Sequence, residues 1–397
     1  RLVRAVGESL GVSNQPAVEG SSELELAGGI RAKLPQGLAT CAVEDRFRTQ
    51  RILVARRWNG WLGVAMSPCV VLEDDPGKAL ASMLSLRDPA WHGARVWKVS
   101  EEVWACQKPG GDRFPGIGYL RTDGKGAGVL AEFRWNRLST KAGTNQRQVQ
   151  VLGGQLMAGL RFAGEGSVRK LVHAGAAGLR QVSGDVGRLV DVEKPVEEQW
   201  EWYDEASPRV SRMTVRRHGD AKDLWGTWEG DRSVPLGTSG QELCQWRLAR
   251  DGGSYDYALR RVGARAMVSQ ESHLVNGRWN TVVRQGEAVV GQASGDVPEA
   301  YVPGVLLPLV MGRLPYEPMV LRTESILMPG GSASAQPMVL VLEPDFDLPK
   351  VPPGQDEAMR CWRVQVSGSG QVSRWYIDGE GRLDSIDFAD GVHLHRG

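Results

Sequence analysis

Glycine-containing turns punctuate this sequence at short intervals, and each follows or joins stretches in which apolar and polar residues alternate. The clearest turns are Asn59-Gly60, Asp251-Gly252-Gly253, Asn276-Gly277 and Asp378-Gly379-Glu380-Gly381. Asn-Gly and Asp-Gly pairs adopt the positive φ angles that tight hairpin turns need. The pattern therefore predicts a mainly β protein, in which antiparallel hairpins build curved sheets or half-barrels and a few short helices interrupt them.

The length and the charge of the chain argue against some classes of protein. A chain of 397 residues is longer than one hydrophobic core usually supports, so we expect two domains. The 48 basic and 47 acidic side chains nearly cancel, whereas nucleic-acid binders carry a clear positive excess. No stretch approaches the roughly 18 consecutive apolar residues of a membrane-spanning helix, so we expect neither a nucleic-acid partner nor a transmembrane segment.

The pattern along the chain divides it into three parts. Residues 1–37 contain glycine, serine and proline with weak periodicity, and we interpret them as an extended N-terminal arm. The charged joint Glu193-Lys194-Pro195 separates a first β-rich domain, residues 38–195, from a second, half-barrel-like domain, residues 196–397. The clearest strand of the first domain is Val129–Trp135, because its apolar residues alternate with Glu and Arg.

Two helices are predicted in the first domain. Lys78–Leu86 follows Asp75-Pro76, and an acidic residue with a proline is typical of a helix start. Ser167–Leu179 begins with a serine that can cap a helix and has apolar residues on one side, although Gly175 and Gly178 weaken the prediction.

The first residue and the cysteines give indications of the cellular compartment of the protein. The sequence begins with Arg1 and lacks a signal region, so either a leader has been removed or the chain begins downstream of the true start. With the turn-dense composition, we favour an exported protein, periplasmic or extracellular, whose leader has been removed. The five cysteines contain no Cys-x-x-Cys pair: Cys41, Cys69, Cys106, Cys244 and Cys361. Buried thiols are the favoured interpretation, and one or two disulfides of unassigned pairing remain the alternative in an oxidising compartment.

One segment, Tyr301–Met311, departs from the strand pattern. It is too apolar for a solvated loop and is interrupted by Pro303 and Pro308. One interpretation is a short helix or crossover that fills the open side of the second sheet. The other is a lid over an apolar ligand cavity, or a docking surface for a neighbour. The apolar lid or docking residues are Tyr301, Val305, Leu306, Leu307, Leu309, Val310 and Met311.

The sequence contains no phosphate-binding loop, no nucleophile elbow and no zinc-helix motif, so we name no catalytic residue and expect no cofactor. The densest group of potential metal ligands is Asp387, Asp390, His393 and His395. On a strand, His393 and His395 point to the same face, as metal ligation requires. Val392 and Leu394 form the complementary apolar face, however, which is typical of an ordinary edge strand, and we therefore predict no metal site.

The region from Trp200 to the C-terminus resembles the bacterial periplasmic lipoprotein-carrier (LolA-like) superfamily. Successive hairpins, the apolar 301–311 segment and the closing runs Cys361–Val366, Val372–Asp378 and Arg382–Phe388 carry the resemblance. It implies a sheet curved around an apolar cavity that holds acyl chains, with helices as its lid. It rests on no residue-specific motif, and it implies no functional residue.

Three functions follow from these patterns. The leading one is a non-catalytic, exported structural or accessory subunit that contacts other protein subunits or copies of itself. The alternative is a periplasmic carrier of a lipid or another apolar ligand, which requires an enclosed apolar cavity. An enzyme whose carboxylates come from distant strands is the third.

Overall fold

The computed structural model describes residues 23–26, 30–35, 38–41, 51–55, 62–73, 75–91, 93–109, 115–135, 142–162, 167–183, 195–204, 207–233, 239–250, 252–262, 267–324, 335–346, 360–369, 372–388 and 392–397. The chain forms two compact units. Unit 1 contains residues 1–169 and 366–372, and unit 2 contains residues 170–365 and 373–397. The mainly antiparallel β architecture predicted from the hairpin pattern is confirmed in both units.

Unit 1 is built around a seven-stranded antiparallel sheet in the order β3-β4-β5-β9-β8-β7-β6, with a separate three-stranded sheet, β1-β2-β10. Its strands are β1 (Glu23–Leu26), β2 (Ile30–Lys33), β3 (Leu38–Cys41), β4 (Arg51–Ala55), β5 (Leu62–Val70), β6 (Arg95–Lys98), β7 (Val103–Gln107), β8 (Gly116–Thr122), β9 (Ala127–Trp135) and β10 (Leu160–Arg161). Its helices are α1 (Pro76–Arg87) and α2 (Ala142–Ala158), and a 3₁₀ turn covers Pro89–Trp91.

The two faces of β9 contribute to two separate cores. Val129, Phe133 and Trp135 pack with α2 and the small sheet. Leu130 packs with Leu80 of α1 on the other face. The strand predicted over Val129–Trp135 is confirmed, with its alternate apolar residues in one core, and its other face is covered as well.

Part of the predicted arm packs in unit 1. Strands β1 and β2 pair with each other, and β10 adds to β2. Their alternate residues Leu24, Leu26 and Ile30 are buried in the same core as α2. This hairpin is short, and its apolar residues alternate over only four positions in each strand. This explains why the sequence pattern does not predict it.

Unit 2 contains one 14-stranded antiparallel sheet in the order β18-β17-β16-β15-β14-β13-β12-β11-β24-β23-β22-β21-β20-β19. Its strands are β11 (Val196–Asp204), β12 (Ser207–Gly219), β13 (Asp223–Ser233), β14 (Ser239–Ala249), β15 (Ser254–Val262), β16 (Met267–Val275), β17 (Arg278–Gln285), β18 (Ala288–Asp296), β19 (Met319–Thr323), β20 (Met338–Pro344), β21 (Arg360–Val366), β22 (Val372–Ile377), β23 (Leu383–Asp387) and β24 (Val392–Arg396). Between β18 and β19 lie a 3₁₀ turn, Gly304–Leu306, and the short helix α4 (Leu307–Val310), and helix α3 (Ser167–Ser183) precedes β11.

The predicted turns adopt the backbone angles that they require. Gly252, Asn276, Gly277 and Gly381 have φ values of 72°, 50°, 76° and 77°. Asn-Gly at the β16–β17 turn therefore supplies positive φ at both central positions. The predicted turn at Asn59-Gly60 lies outside the described residues.

Both predicted helices are present. Asp75 caps α1, since its carboxylate accepts hydrogen bonds from the Gly77 and Lys78 backbone N–H groups. In α3, a Cβ at Gly175 would lie 2.1 Å from the Val320 carbonyl oxygen. The glycine that weakened the helix prediction thus lets α3 approach β19 closely.

The boundary between the units falls at Arg169/Lys170, within α3. The joint predicted at Glu193-Lys194-Pro195 lies almost wholly outside the described residues and stays a prediction. Among the helices that the structure describes, none combines the length and apolarity needed to cross a bilayer.

Candidate functional site

The 301–311 segment, predicted from its apolarity, lies largely in the interior of unit 2. Leu306, Leu307, Val310 and Met311 are buried, and Tyr301, Val305 and Leu309 are partly buried. Pro303 precedes the 3₁₀ turn, and Pro308 lies in the first turn of the short helix α4. This placement is that of a covering element on the sheet, and whether it also acts as a lid or docking surface stays a prediction.

A single carboxylate holds the start of this segment. Glu324, at the end of β19, accepts hydrogen bonds from the Tyr255 hydroxyl of β15 at 2.6 Å and from the Tyr301 hydroxyl at 2.7 Å. The Gly304 backbone N–H donates to the same carboxylate at 2.9 Å. These four residues, which we call the Glu324 cluster, join two strands to the 301–311 segment.

The Glu324 cluster is electrostatically unusual because the carboxylate is only 3% exposed. Burial raises the pKa of Glu324, and the hydrogen bonds from both tyrosines oppose that rise. Burial, together with the nearby carboxylate, also raises the pKa values of Tyr255 and Tyr301. In the part of the chain that the structure describes, no basic side chain pairs with Glu324, so neutral donors alone stabilise its ionised form.

Further polar side chains surround this carboxylate on the same sheet. The Gln270 side-chain amide donates to the Glu324 carbonyl oxygen at 3.0 Å, and Thr281 donates to the Ser272 hydroxyl at 2.9 Å. The nearby Cys244 thiol is completely buried, and burial raises its pKa well above the usual range. A thiol held in its protonated form is a poor nucleophile.

The other end of the 301–311 segment is held at β21. The Trp362 indole N–H donates to the Met311 carbonyl oxygen at 3.0 Å. Tyr316 packs edge-on against Trp362 and donates its hydroxyl to the Cys361 carbonyl oxygen at 2.8 Å. Buried polar contacts therefore fix both ends of the segment.

Only some of the weak candidate metal ligands lie close together in the described structure. Asp387 and the Nδ1 atom of His393 lie 2.6 Å apart, and the Tyr376 hydroxyl donates to the same carboxylate at 2.9 Å. The His393 and His395 rings stack with centroids 6.5 Å apart, and Asp390 lies outside the described residues. Within the described ranges, no three potential ligands converge on a common point.

Sequence reasoning missed a charged network in unit 1. The Glu132 carboxylate accepts a 2.6 Å hydrogen bond from Arg134 and a 3.2 Å bond from the Trp91 indole, and it lies 3.6 Å from Arg87. Lys108 pairs with Asp88 at 3.0 Å beside it. These residues come from α1 and from three chain segments around it, so no local spacing reveals them.

Of the cysteines whose side chains the structure describes, Cys69, Cys106, Cys244 and Cys361 are free buried thiols. Burial raises the pKa values of Cys69, Cys106 and Cys361 to about 12. These thiols behave as small apolar side chains in the described part of the chain, as the favoured interpretation of the sequence expects.

The outer edges of the 14-stranded sheet differ in how they are covered. At β19, the backbone pairs with a neighbouring stretch of the chain, since Val302 N–H donates to the Arg322 carbonyl at 2.8 Å and Arg322 N–H donates to the Ala300 carbonyl at 2.9 Å. At the other edge, β18 pairs with β17 alone among the described residues. Among the residues that the structure describes, no strand covers the outer side of β18, which therefore presents an unpaired row of backbone groups.

The pairing of β18 shows which backbone groups face outward. The Val297 N–H donates to the Gly277 carbonyl at 2.8 Å, which places residue 297 in a hydrogen-bonded pair with the β16–β17 turn. Because the direction of N–H and C=O groups alternates along a strand, Gly295 and Ala293 also point toward β17. The N–H and C=O groups of residues 292, 294 and 296 consequently point away from the sheet.

The side chains of β18 offer little protection against another strand. The strand contains no lysine, arginine or proline, and its single charge is Asp296 at the end. One irregularity, an extra residue at Val290, precedes a regular run from Gly291 to Asp296. By contrast, the edge strand β6 of unit 1 carries exposed Arg95 and Lys98, which are charges of the kind that protect edges.

Several apolar side chains at one end of the sheet are exposed. Val289 of the edge strand β18 is 55% exposed. Met267 and Val262, which pair with each other two and three strands further into the sheet, are 43% and 51% exposed.

Comparison with known proteins found a similar solved structure but no matching family. No family model matches it, and no curated protein matches its sequence. Among solved structures, it is similar to the beta-barrel-like protein of the domain of unknown function DUF1849 from Brucella abortus. The two are 8% identical with a TM-score of 0.34, over 51% of this chain and 93% of that chain.

Proposed function

We propose that this protein is a non-catalytic structural or accessory subunit that assembles with other protein subunits or copies of itself by adding a strand to β18. The uncovered outer edge of β18 is the observation that carries the proposal. An exported location, expected from the sequence, is part of the same proposal.

The chemistry of an edge favours a strand as the partner. Residues 292, 294 and 296 each present an outward N–H donor and C=O acceptor, and an extended chain satisfies both types at the same spacing. Strand addition of this kind obtains affinity from main-chain hydrogen bonds. The exposed residue Val289 of β18 adds apolar area beside the new strand.

A substitution at Ser294 tests the proposal. Ser294→Pro removes an outward N–H while the bonds to β17 remain, because proline is tolerated at an edge position whose N–H faces solvent. Ser294→Ala is the matched control, since it removes the hydroxyl and keeps the N–H. We expect proteins or untagged copies that co-purify with the control to be lost from the proline variant. Equal recovery with both variants contradicts the proposal.

The lipoprotein-carrier resemblance supports a second candidate, the binding of an apolar ligand. Trp228 is 8% exposed, and its indole N–H has no hydrogen-bond acceptor among the described residues. Trp228 pairs across the strands with Cys244, and Trp246 lies on the same strand as Cys244. An aromatic face with an unused donor fits a long-chain fatty acid, whose carboxylate accepts such a bond.

Native mass spectrometry with added oleate tests this second candidate. We expect a one-to-one complex that Trp228→Phe weakens, because phenylalanine keeps the aromatic surface and removes the donor. Failure of the wild-type protein to retain oleate excludes the candidate for this class of ligand.

A further inference from the structure

We infer that the strand which adds to β18 is β18 of a second copy of this chain, in an antiparallel, two-fold symmetric arrangement. The inference rests on the proposed function and names its partner. It follows from the direction of the backbone groups and from the order of side chains along the regular run Gly291–Asp296.

The backbone allows few symmetric registers. A two-fold axis beside an outward-pointing residue makes that residue and its symmetry mate exchange both hydrogen bonds, and an axis beside an inward-pointing residue makes its two outward neighbours exchange them. An axis beside Ser294 pairs all three outward residues of the run, Gln292, Ser294 and Asp296, whereas an axis beside Ala293 or Gly295 pairs only two of them. An axis at Gln292 brings the irregular residue Val290 into the pairing, and an axis at Asp296 places two carboxylates opposite each other. Ser294 is therefore the favoured centre.

With the axis at Ser294, the side chains on the exposed face complement each other. Gln292 of each copy lies opposite Asp296 of the other, so that two amide groups can donate to two carboxylates, and Ser294 lies opposite itself. All three side chains are exposed in the single chain and are therefore available to a partner. Cross-strand pairs of this type stabilise antiparallel sheets, whereas opposed like charges destabilise them.

The other face of the strand allows close approach. Gly291, Ala293 and Gly295 alternate with the exposed residues, and in the same register Ala293 lies opposite Gly295. β18 itself thus places no bulky side chain on this face, and the groups nearest to it are the Trp279 indole beside Gly295 and Ala335 beside Gly291. Among the described residues, the one ion pair of Asp296 is a 3.9 Å contact with Arg278, in which both side chains are highly exposed. Such a contact competes weakly with a new partner.

A charge series distinguishes this register from a non-specific association. Gln292→Glu places a second carboxylate opposite Asp296 twice in each dimer. We expect sedimentation velocity at low salt to show a concentration-dependent dimer for the wild-type protein and a dissociation constant at least tenfold higher for this variant. Adding Asp296→Lys to the same chain converts both repulsive pairs into opposite-charge pairs and is expected to restore the dimer. Unchanged circular dichroism spectra establish that each variant folds.

Three results overturn the inference: a monomer at every concentration, a dimer that Gln292→Glu leaves unchanged, or a double variant no tighter than Gln292→Glu. Photo-crosslinking from position 292 in a lysate of the source cells then distinguishes a failure of the inference from a failure of the proposed function. A crosslink between two copies, absent when the photoreactive group replaces exposed Glu229 of β13, supports both. A crosslink to a different protein overturns the inference and leaves the proposed function standing. No position-specific crosslink overturns both.

Discussion

Replacement of Glu324 tests how the 301–311 segment is held. Glu324→Ala removes the acceptor of three donors, the Tyr255 and Tyr301 hydroxyls and the Gly304 N–H. A buried donor left without an acceptor costs about 1–3 kcal/mol, so we expect the alanine variant to lose at least about 3 kcal/mol of local stability. Glu324→Gln keeps an acceptor oxygen and removes the buried charge, and we expect it to stay within about 1 kcal/mol of the wild type.

The same pair of variants predicts a pH dependence. Burial raises the pKa of Glu324 in the folded protein, so the folded state holds its proton more tightly than the unfolded chain does. The stabilisation from this proton is complete below the ordinary carboxyl pKa and is lost as pH rises through the folded pKa. Relative to Glu324→Gln, the wild type therefore loses stability as pH increases from acidic toward neutral.

Hydrogen exchange of peptides covering residues 299–311, measured between pH 5 and pH 8 and corrected for intrinsic rates, reports this local stability. Two results would refute the reasoning. One is an alanine variant as well protected as the glutamine variant. The other is a wild type whose protection rises with pH while the glutamine variant stays constant.

Two further predictions concern packing in the described residues. Gly175→Ala drives a methyl group against a carbonyl oxygen of β19, and we expect it to lower the free energy of unfolding in urea by at least about 1 kcal/mol. The control Gly154→Ala on α2, where nothing lies within 4 Å, is expected to raise the free energy of unfolding by about 0.5–1 kcal/mol. Equal effects at both sites contradict the close approach of α3 to β19. Trp362→Phe removes the bond to the Met311 carbonyl and leaves that acceptor unsatisfied, at a cost of about 1–3 kcal/mol, while Trp228→Phe removes no hydrogen bond and costs less. The reverse order, by the same measurement, contradicts the assignment of these contacts.

The local parts of the fold are readable from the sequence. The turn at Asn276-Gly277 requires positive φ at both positions, and these residue types are the ones that adopt it. Asp75-Pro76 marks the start of α1 because its carboxylate caps the first turn. Both features depend on interactions between residues close in the chain.

Helix α2 shows where local patterns fail. Its stretch Val149-Gln150-Val151 alternates like a strand, and Gly153-Gly154 follows like a turn. In the structure, a Cβ at Gly153 would lie 2.3 Å from the Tyr119 ring, so this glycine permits the helix to pack on β8. A contact between distant segments thus decides the conformation, and the sequence pattern does not contain it.

The functional features are even less local. The apolarity of the 301–311 segment is visible in the sequence, but the carboxylate that holds it is not. The Tyr255 and Tyr301 hydroxyls reach Glu324 from positions 69 and 23 residues away. In the same way, β18 has an ordinary strand sequence, and it becomes an uncovered edge only through the order of strands in the whole sheet.

Amide hydrogen exchange at single-residue resolution along β18 tests the central claim most directly. In the assembled protein, we predict that the outward amides of Gln292, Ser294 and Asp296 are protected to a similar degree as the inward amides of Ala293 and Gly295. Free exchange of the three outward amides, with the two inward amides still protected, contradicts the claim that another strand adds to this edge.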